Sequence, residues 1–272
     1  MPTRPTRELS PLRRVGSLLA RVPFNTTTRL EIDGLHYLKK QRRAYAPMLV
    51  LLANWYAARL GLMMRLLPGP AWFGYEQLLY DVLHGRHAPA SGKRALLLPR
   101  LPGRNLLHLL QRDPCLSGEG RMGLELAAIE LARLHACRTP HPLAGGRRQF
   151  SHADATIRNV LVDVERRQAL WIDFETAHTQ ALPAQVRHAD DLLTLLSTAA
   201  AIIQPAELPA LCQTVLSNYG SSVVTGAMRD LVQSWDARPL ARRLAFPDLE
   251  DGRWQALCED TARLGLQRGI SV

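Results

Sequence analysis

Aromatic residues make up only 6% of the 272-residue chain, so its core is expected to be aliphatic and its Leu and Ala content to favour helix. Cysteine is sparse as well. Cys115, Cys137, Cys212 and Cys258 are scattered and form no Cys-x-x-Cys pair, which argues against a zinc site and for free thiols in a reducing cytosol. The first 21 residues contain Arg and Pro but no continuous apolar core followed by a small-residue cleavage site, so no secretory signal is expected. Basic residues do not alternate with aromatics, so a nucleic-acid groove is not expected. No internal repeat or low-complexity tract is visible.

What is present is a basic globular chain. Apolar residues reach 47%, and 34 Lys+Arg against 24 Asp+Glu give a net charge of +10. That balance suits anionic partners such as nucleotide phosphates, phosphorylated sugars or anionic lipid headgroups. Arginine far outnumbers lysine, so part of the charge is compositional habit. The length allows one large domain or two small lobes sharing a cleft.

Residues 1–23 are basic and Pro-containing, with a helical stretch expected near Val15–Arg21. Thr26–Glu31 and Leu35–Lys40 read as strands joined at Asp33-Gly34, a hairpin signal. An apolar run, Met48–Leu67, ends at Pro68-Gly-Pro70. A helix over Tyr75–Leu83, a strand over Ala95–Leu98, a break at Leu101-Pro-Gly103 and a helix over Asn105–Leu110 follow. Met122–Ala136 has long helical periodicity. Val160–Val164 and Ala169–Phe174 flank a turn as a second hairpin. Helices are then expected around His188–Ile203, Leu208–Ser217, Val223–Trp235 and Trp254–Leu264. The shift from strands to helices near residue 100 predicts an α+β chain of two lobes: residues 1–98, a hinge at 99–104, and a helical lobe at 105–272.

The most informative stretch is Ser151-His-Ala-Asp-Ala-Thr-Ile-Arg-Asn159, followed by Trp171-Ile-Asp-Phe-Glu175. A His-x-Asp pair stands five residues ahead of an Asn, and a second Asp ends an apolar run. Phosphoryl transfer asks for these residue types: a carboxylate to orient the acceptor hydroxyl and hard oxygen ligands for Mg²⁺ on the nucleotide phosphates.

With Leu131-Ala-Arg-Leu-His135, His152-Ala-Asp154, Asn159-Val-Leu-Val and Ile172-Asp-Phe-Glu175 in this order, the chain resembles the protein-kinase-like superfamily from about Thr26 to Ala199. The resemblance is closest to its compact bacterial branches, the lipopolysaccharide-core and Kdo sugar kinases and the aminoglycoside or choline phosphotransferases. It implies a bilobal fold that binds ATP and Mg²⁺ in the cleft. Asp154 would be the catalytic base, His152 would brace the catalytic loop, and Asn159 and Asp173 would bind the metal. Lys39 would contact the α- and β-phosphates and pair with Glu76. Leu97–Arg100, through Leu98 and Arg100, would form the adenine-binding hinge. Asp190 or Asp191 would anchor the catalytic loop from below. Lys40 and Asp81 compete with Lys39 and Glu76 for the ion pair.

The chain also departs from that pattern. No Gly-x-Gly-x-x-Gly precedes the first hairpin, where Asn25-Thr-Thr-Thr28 stands. Thr156 occupies a position that is often Lys or His, which makes Arg158 the candidate for neutralising the transferred phosphoryl group. Glu175 reads equally as a third metal ligand or a turn residue. The segment Glu175–Arg187 is short for a peptide-docking platform. In Met48–Leu67, Asn54, Arg59, Gly61 and Arg65 argue against a membrane span. A helix buried against the small lobe is the first reading and an interfacial helix the second. Arg13, Arg14 and the Lys39–Arg43 cluster would add attraction to anionic lipid. The expectation is a cytoplasmic enzyme, with the inner membrane face as an alternative address, acting on a small molecule, a sugar or an envelope glycolipid. A compact atypical Ser/Thr protein kinase and a nucleotide-binding pseudokinase scaffold are the other readings.

Overall fold

The computed structural model describes residues 24–86, 95–143, 145–179 and 181–267. The basic segment 1–23, with Arg13, Arg14 and the helix expected at Val15–Arg21, lies outside the described residues. Strands β1 (Asn25–Ile32) and β2 (Leu35–Arg42) pair in full antiparallel register, and β4 (Ala95–Pro99) joins β2 to make a three-stranded sheet. Asp33 and Gly34 both take positive φ, 51° and 74°. That is the two-residue turn whose twist matches a right-handed hairpin.

The apolar run is not one helix. Helix α1 spans Ala46–Arg59 and stops there, because Gly61 turns left-handed at φ 67°. The remainder enters strand β3 (Met64–Leu66), which pairs with β10 (Thr176–His178) from the far half of the chain. Pro68-Gly-Pro70 starts helix α2 (Gly69–His84) as well as ending the run, since proline in a first helical turn sacrifices no hydrogen bond. The helix therefore begins six residues before Tyr75, and Glu76 lies well inside it.

Past Pro99 the chain is mainly helical. Arg104–Asn105 (β5) adds to a hairpin of β8 (Val160–Asp163) and β9 (Gln168–Trp171). Asn105 caps helix α3 (Leu106–Arg112) by accepting from Leu107 N. Gly103, at φ 102°, lies so close to Val162 that a Cβ would meet its carbonyl at 2.8 Å. Helix α4 (Glu119–Ala136) precedes a short ribbon of β6 (Arg138–Pro140) and β7 (Arg147–Gln149). Helices α5 (Ala184–Ala200), α6 (Leu208–Tyr219), α7 (Ser222–Asp236), α8 (Pro239–Ala245) and α9 (Asp251–Gln267) complete the larger part. One buried core runs through both parts, from Leu67, Trp72 and Leu96 to Leu192, Leu211 and Trp254. No helix among the described residues is long and apolar enough to cross a membrane.

Candidate active site

Side chains alternate across β2, so Leu38, Lys40 and Arg42 share the face turned toward α2 and Lys39 takes the other. The ion pair with Glu76 is accordingly made by Lys40, at 2.5 Å, and not by Lys39. The same ammonium lies 2.7 Å from Asp173. Glu76 is fully buried and takes a second hydrogen bond, 2.5 Å, from Trp72 Nε1. Burial alone would lower the pKa of Lys40, but the charges of Asp173 and Glu76 outweigh it and raise it. Burial likewise opposes ionisation of Asp173, yet the adjacent Lys40 holds its pKa below the ordinary carboxylate value.

The loop that carries Asp154 is fixed from beneath. Asp191, on α5, accepts backbone N–H groups from both His152 and Ala153 at 2.7 Å, and His135 Nε2 at 2.9 Å. Of the two aspartates considered, Asp191 therefore holds the loop, while Asp190 takes His178 Nε2 at 3.1 Å. Ala153 and Asp173 both have left-handed backbone, φ 64° and 68°. Such non-glycine conformations cost on the order of 1–3 kcal/mol each and persist only where surrounding contacts dictate them. At Ala153 the dictating contact is the carboxylate of Asp191. His152 is buried, with Nε2 2.9 Å from the carbonyl oxygen of Ile172 and its ring against Phe174 and Trp171. Burial depresses its pKa, so this neutral imidazole joins the Asp154 loop to the Asp173 segment.

Asn159 Nδ2 donates to both the carbonyl and Oδ2 of Asp154, each at 2.9 Å. Burial, then the negative charge of Asp173, push the Asp154 carboxyl up to about 7, with the Asn159 hydrogen bond opposing. No group of three or more His, Cys, Asp or Glu among the described residues could hold a metal alone. Mg²⁺ does not require one, since it is usually bound through one or two carboxylates together with substrate phosphates. The oxygen chemistry of Asp173 and Asn159 fits that use.

A cavity of about 750 Å³ opens beside this cluster, lined by Leu38 above, Leu161 and Ile172 below, and Arg100, Leu101 and Gly103 at the exit of β4. Leu98 does not line it; its side chain is fully buried in the sheet, paired with Leu38. Arg29, Arg104 and Arg112 make its wall basic. Arg158 is not drawn into the cluster. Its guanidinium faces Asp248 at 4.0 Å and is mostly exposed.

One participant, Arg42, was not singled out for the site beforehand. Arg42 is buried, stacks 4.4 Å over Trp72 and donates to the Leu67 carbonyl at 2.7 Å. It also approaches Glu175, which accepts from Asn25 as well. Burial and neighbouring Asp173 push the Glu175 carboxyl up to about 7. The β2 alternation that selects Lys40 would have indicated Arg42 too.

No protein-family model matches the chain, and no curated protein matches it significantly by sequence. Among solved structures it is similar to Plasmodium vivax ethanolamine kinase, with a TM-score of 0.50 and 10% identity over 90% of this chain and 80% of that one. At that identity the likeness carries the fold alone: a strand-containing N-terminal part and a larger helical C-terminal part in a kinase-like bilobal arrangement.

Proposed function

We propose that this protein is an ATP- and Mg²⁺-dependent phosphotransferase that moves the γ-phosphoryl group to an alcohol hydroxyl of a small molecule or sugar. One observation carries the reading. Lys40 bridges Glu76 and Asp173, and Asp154, bonded to Asn159, lies near enough to feel the Asp173 charge. Four separate segments thus meet in one cluster, with Leu38 and Ile172, close to Lys40 and Asp173 in sequence, lining the cavity. Lys40 presents a fixed cation to phosphate oxygens, and Glu76 keeps it from turning away. Asp173 and Asn159 offer oxygens to Mg²⁺, which when bound neutralises phosphate charge. Asp154 orients the acceptor hydroxyl and takes its proton; a carboxyl near 7 is suited to that at neutral pH.

The acceptor class follows from charge. The ethanolamine in the neighbour's name is a cation, whereas this chain has a net charge of +10 and its cavity wall, beyond the expected hinge, carries Arg29, Arg104 and Arg112. A low-dielectric wall of one sign concentrates ligands of the opposite sign. An anionic sugar, including the carbohydrate of an envelope glycolipid, suits it better. A protein acceptor suits it less, because residues 176–178, just after Asp173, are committed to the β10–β3 pairing.

The test is thermal unfolding of wild type and Asp173→Ala with ATP and Mg²⁺. A ligand at a hundredfold excess over its Kd adds about 2.7 kcal/mol. A magnesium-dependent rise in wild type that Asp173→Ala lacks is expected, followed by turnover in a screen of anionic sugars. Absence of any rise with every nucleoside triphosphate would leave the scaffold reading in its place. An unaltered lipid-linked sugar profile after gene deletion would remove the glycolipid.

A further inference from the structure

Helix α1 has an apolar face that no described residue covers. Met48, Leu51, Leu52 and Trp55 are 68%, 73%, 41% and 52% exposed, and their i, i+3, i+4, i+7 spacing puts them in one stripe. The opposite face is anchored. Val50, Tyr56 and Ala57 are buried, and the Asn54 amide clasps Leu66 through both its N–H and its carbonyl, at 2.8 and 2.9 Å. The stripe is therefore held outward by a rigid attachment.

We propose that this stripe seats on an anionic lipid surface. Three observations select that occupant. Each end of the helix carries an arginine over an exposed aromatic ring: Arg43 over Tyr45 at 5.9 Å and Arg59 over Trp55 at 5.6 Å. Aromatic rings and basic groups at the rim of an apolar stripe suit the headgroup boundary of a membrane. No acidic residue occurs between Gly34 and Tyr75, so nothing in that stretch repels an anionic leaflet. Finally, four side chains fall well short of the roughly 800 Å² per partner that a stable protein interface uses. The helix lies in the interface and does not cross it; its 14 residues extend only about 21 Å, against a hydrocarbon core of ~30 Å.

This binding does not depend on the catalytic reading, and its test reads no turnover. Trp55 is the exposed member of the five tryptophans; Trp72, Trp171, Trp235 and Trp254 are buried. Its fluorescence therefore reports directly on the stripe. With vesicles of phosphatidylcholine containing phosphatidylglycerol, a blue shift and co-sedimentation are expected, both weakened by salt. Vesicles of phosphatidylcholine alone should bind far less. Met48→Glu with Leu51→Glu should weaken partitioning at least about tenfold, and Arg59→Gln roughly fivefold. Trp55→Phe should remove the spectral shift while keeping most of the co-sedimentation. Unfolding with Mg-ATP should be unchanged in the Met48/Leu51 variant, which separates loss of binding from loss of fold or nucleotide site. The proposal is overturned if wild type stays in solution, binds both vesicle types equally, or forms a dimer that Leu51→Glu dissolves.

Discussion

Replacing Lys40 by Met, beside the same change at Lys39, separates two adjacent lysines by what each touches. Lys40→Met leaves the fully buried Glu76 with only the Trp72 N–H, and strips Asp173 of its cation. Breaking a buried pair by removing one partner costs about 3–5 kcal/mol, because the remaining charge is stranded. Lys39→Met touches no such partner and should lie within about 0.5 kcal/mol of wild type. The pH dependence gives a second signature. Burial raises the Glu76 pKa above its ordinary 4.5, and Lys40 opposes that shift. Without Lys40 only the Trp72 hydrogen bond opposes the shift, so folded Glu76 keeps a proton that the unfolded chain releases as pH rises past 4.5. The unfolded state then gains relative to the folded one, and the deficit of Lys40→Met should grow from pH 5 to pH 8. Urea titrations followed by tryptophan fluorescence at several pH values measure this. Equal costs at Lys39 and Lys40, or a deficit that shrinks with rising pH, would refute the assignment of the ion pair.

Asp191→Ala should cost at least about 3 kcal/mol, since two backbone N–H groups and the His135 N–H lose a shared buried acceptor; it should also abolish turnover while Asp190→Asn retains part of it, as a kinetic comparison would show. Gly103→Ala should destabilise by about 1–3 kcal/mol in thermal unfolding, because φ 102° and the 2.8 Å approach to the Val162 carbonyl both resist a Cβ. Burial lowers His84 to about 4 and His188 to about 3. Each is neutral when folded and protonates first in the unfolded chain, so stability is full above pH 6.5 and is lost as pH falls toward 4, by about 1.4 kcal/mol per pH unit per histidine. His188→Asn should flatten that slope in denaturation curves recorded from pH 7.5 to 4.5.

The order of strands and helices was legible because period and punctuation agree. The two hairpins show it: Asp33-Gly34 turns the first, and the polar residues 165–167 turn the second. The α+β class followed from the same patterning. What could not be read were elements whose partners are distant. Met64–Leu66 is a strand only because Thr176–His178 lies beside it, and within the run its residues continue a helical pattern. Lys39 and Lys40 are indistinguishable by composition; the sheet face that sees α2 decides, and that depends on how α2 packs. The apolar run invited a buried helix, and half of it is buried, but the stripe at Met48 and Leu51 points outward. The arrangement at 151–175 was legible because its geometry is local: the Asn159–Asp154 bond needs only five residues of chain. The position of Arg158 was missed for the converse reason. Its side chain answers to Asp248, nearly a hundred residues away.

The cluster is assembled from two directions, and its weak point is where they meet. The larger part sets Asp154 through Asp191, a carboxylate whose three donors are all in place before any ligand arrives. The smaller part sets Lys40 through Glu76, equally without help. What joins them is the 2.7 Å contact of Lys40 with Asp173, together with the β3–β10 pairing and the packing of His152 and Phe174. Asp173 is a third exposed, has strained backbone and is the residue to which both a cation and a metal would be drawn. The chain otherwise writes arginine where a cation is wanted, with lysine confined to Lys39, Lys40 and Lys93. A compact ammonium at position 40 can bridge two carboxylates and still turn to phosphate; a planar guanidinium, with its fixed fork, would be committed to them. Lys40→Arg should therefore keep most of the stability that Lys40→Met loses, yet still lose nucleotide-dependent stabilisation. Full nucleotide stabilisation in Lys40→Arg would mean that charge alone, and not its shape, is what the site requires.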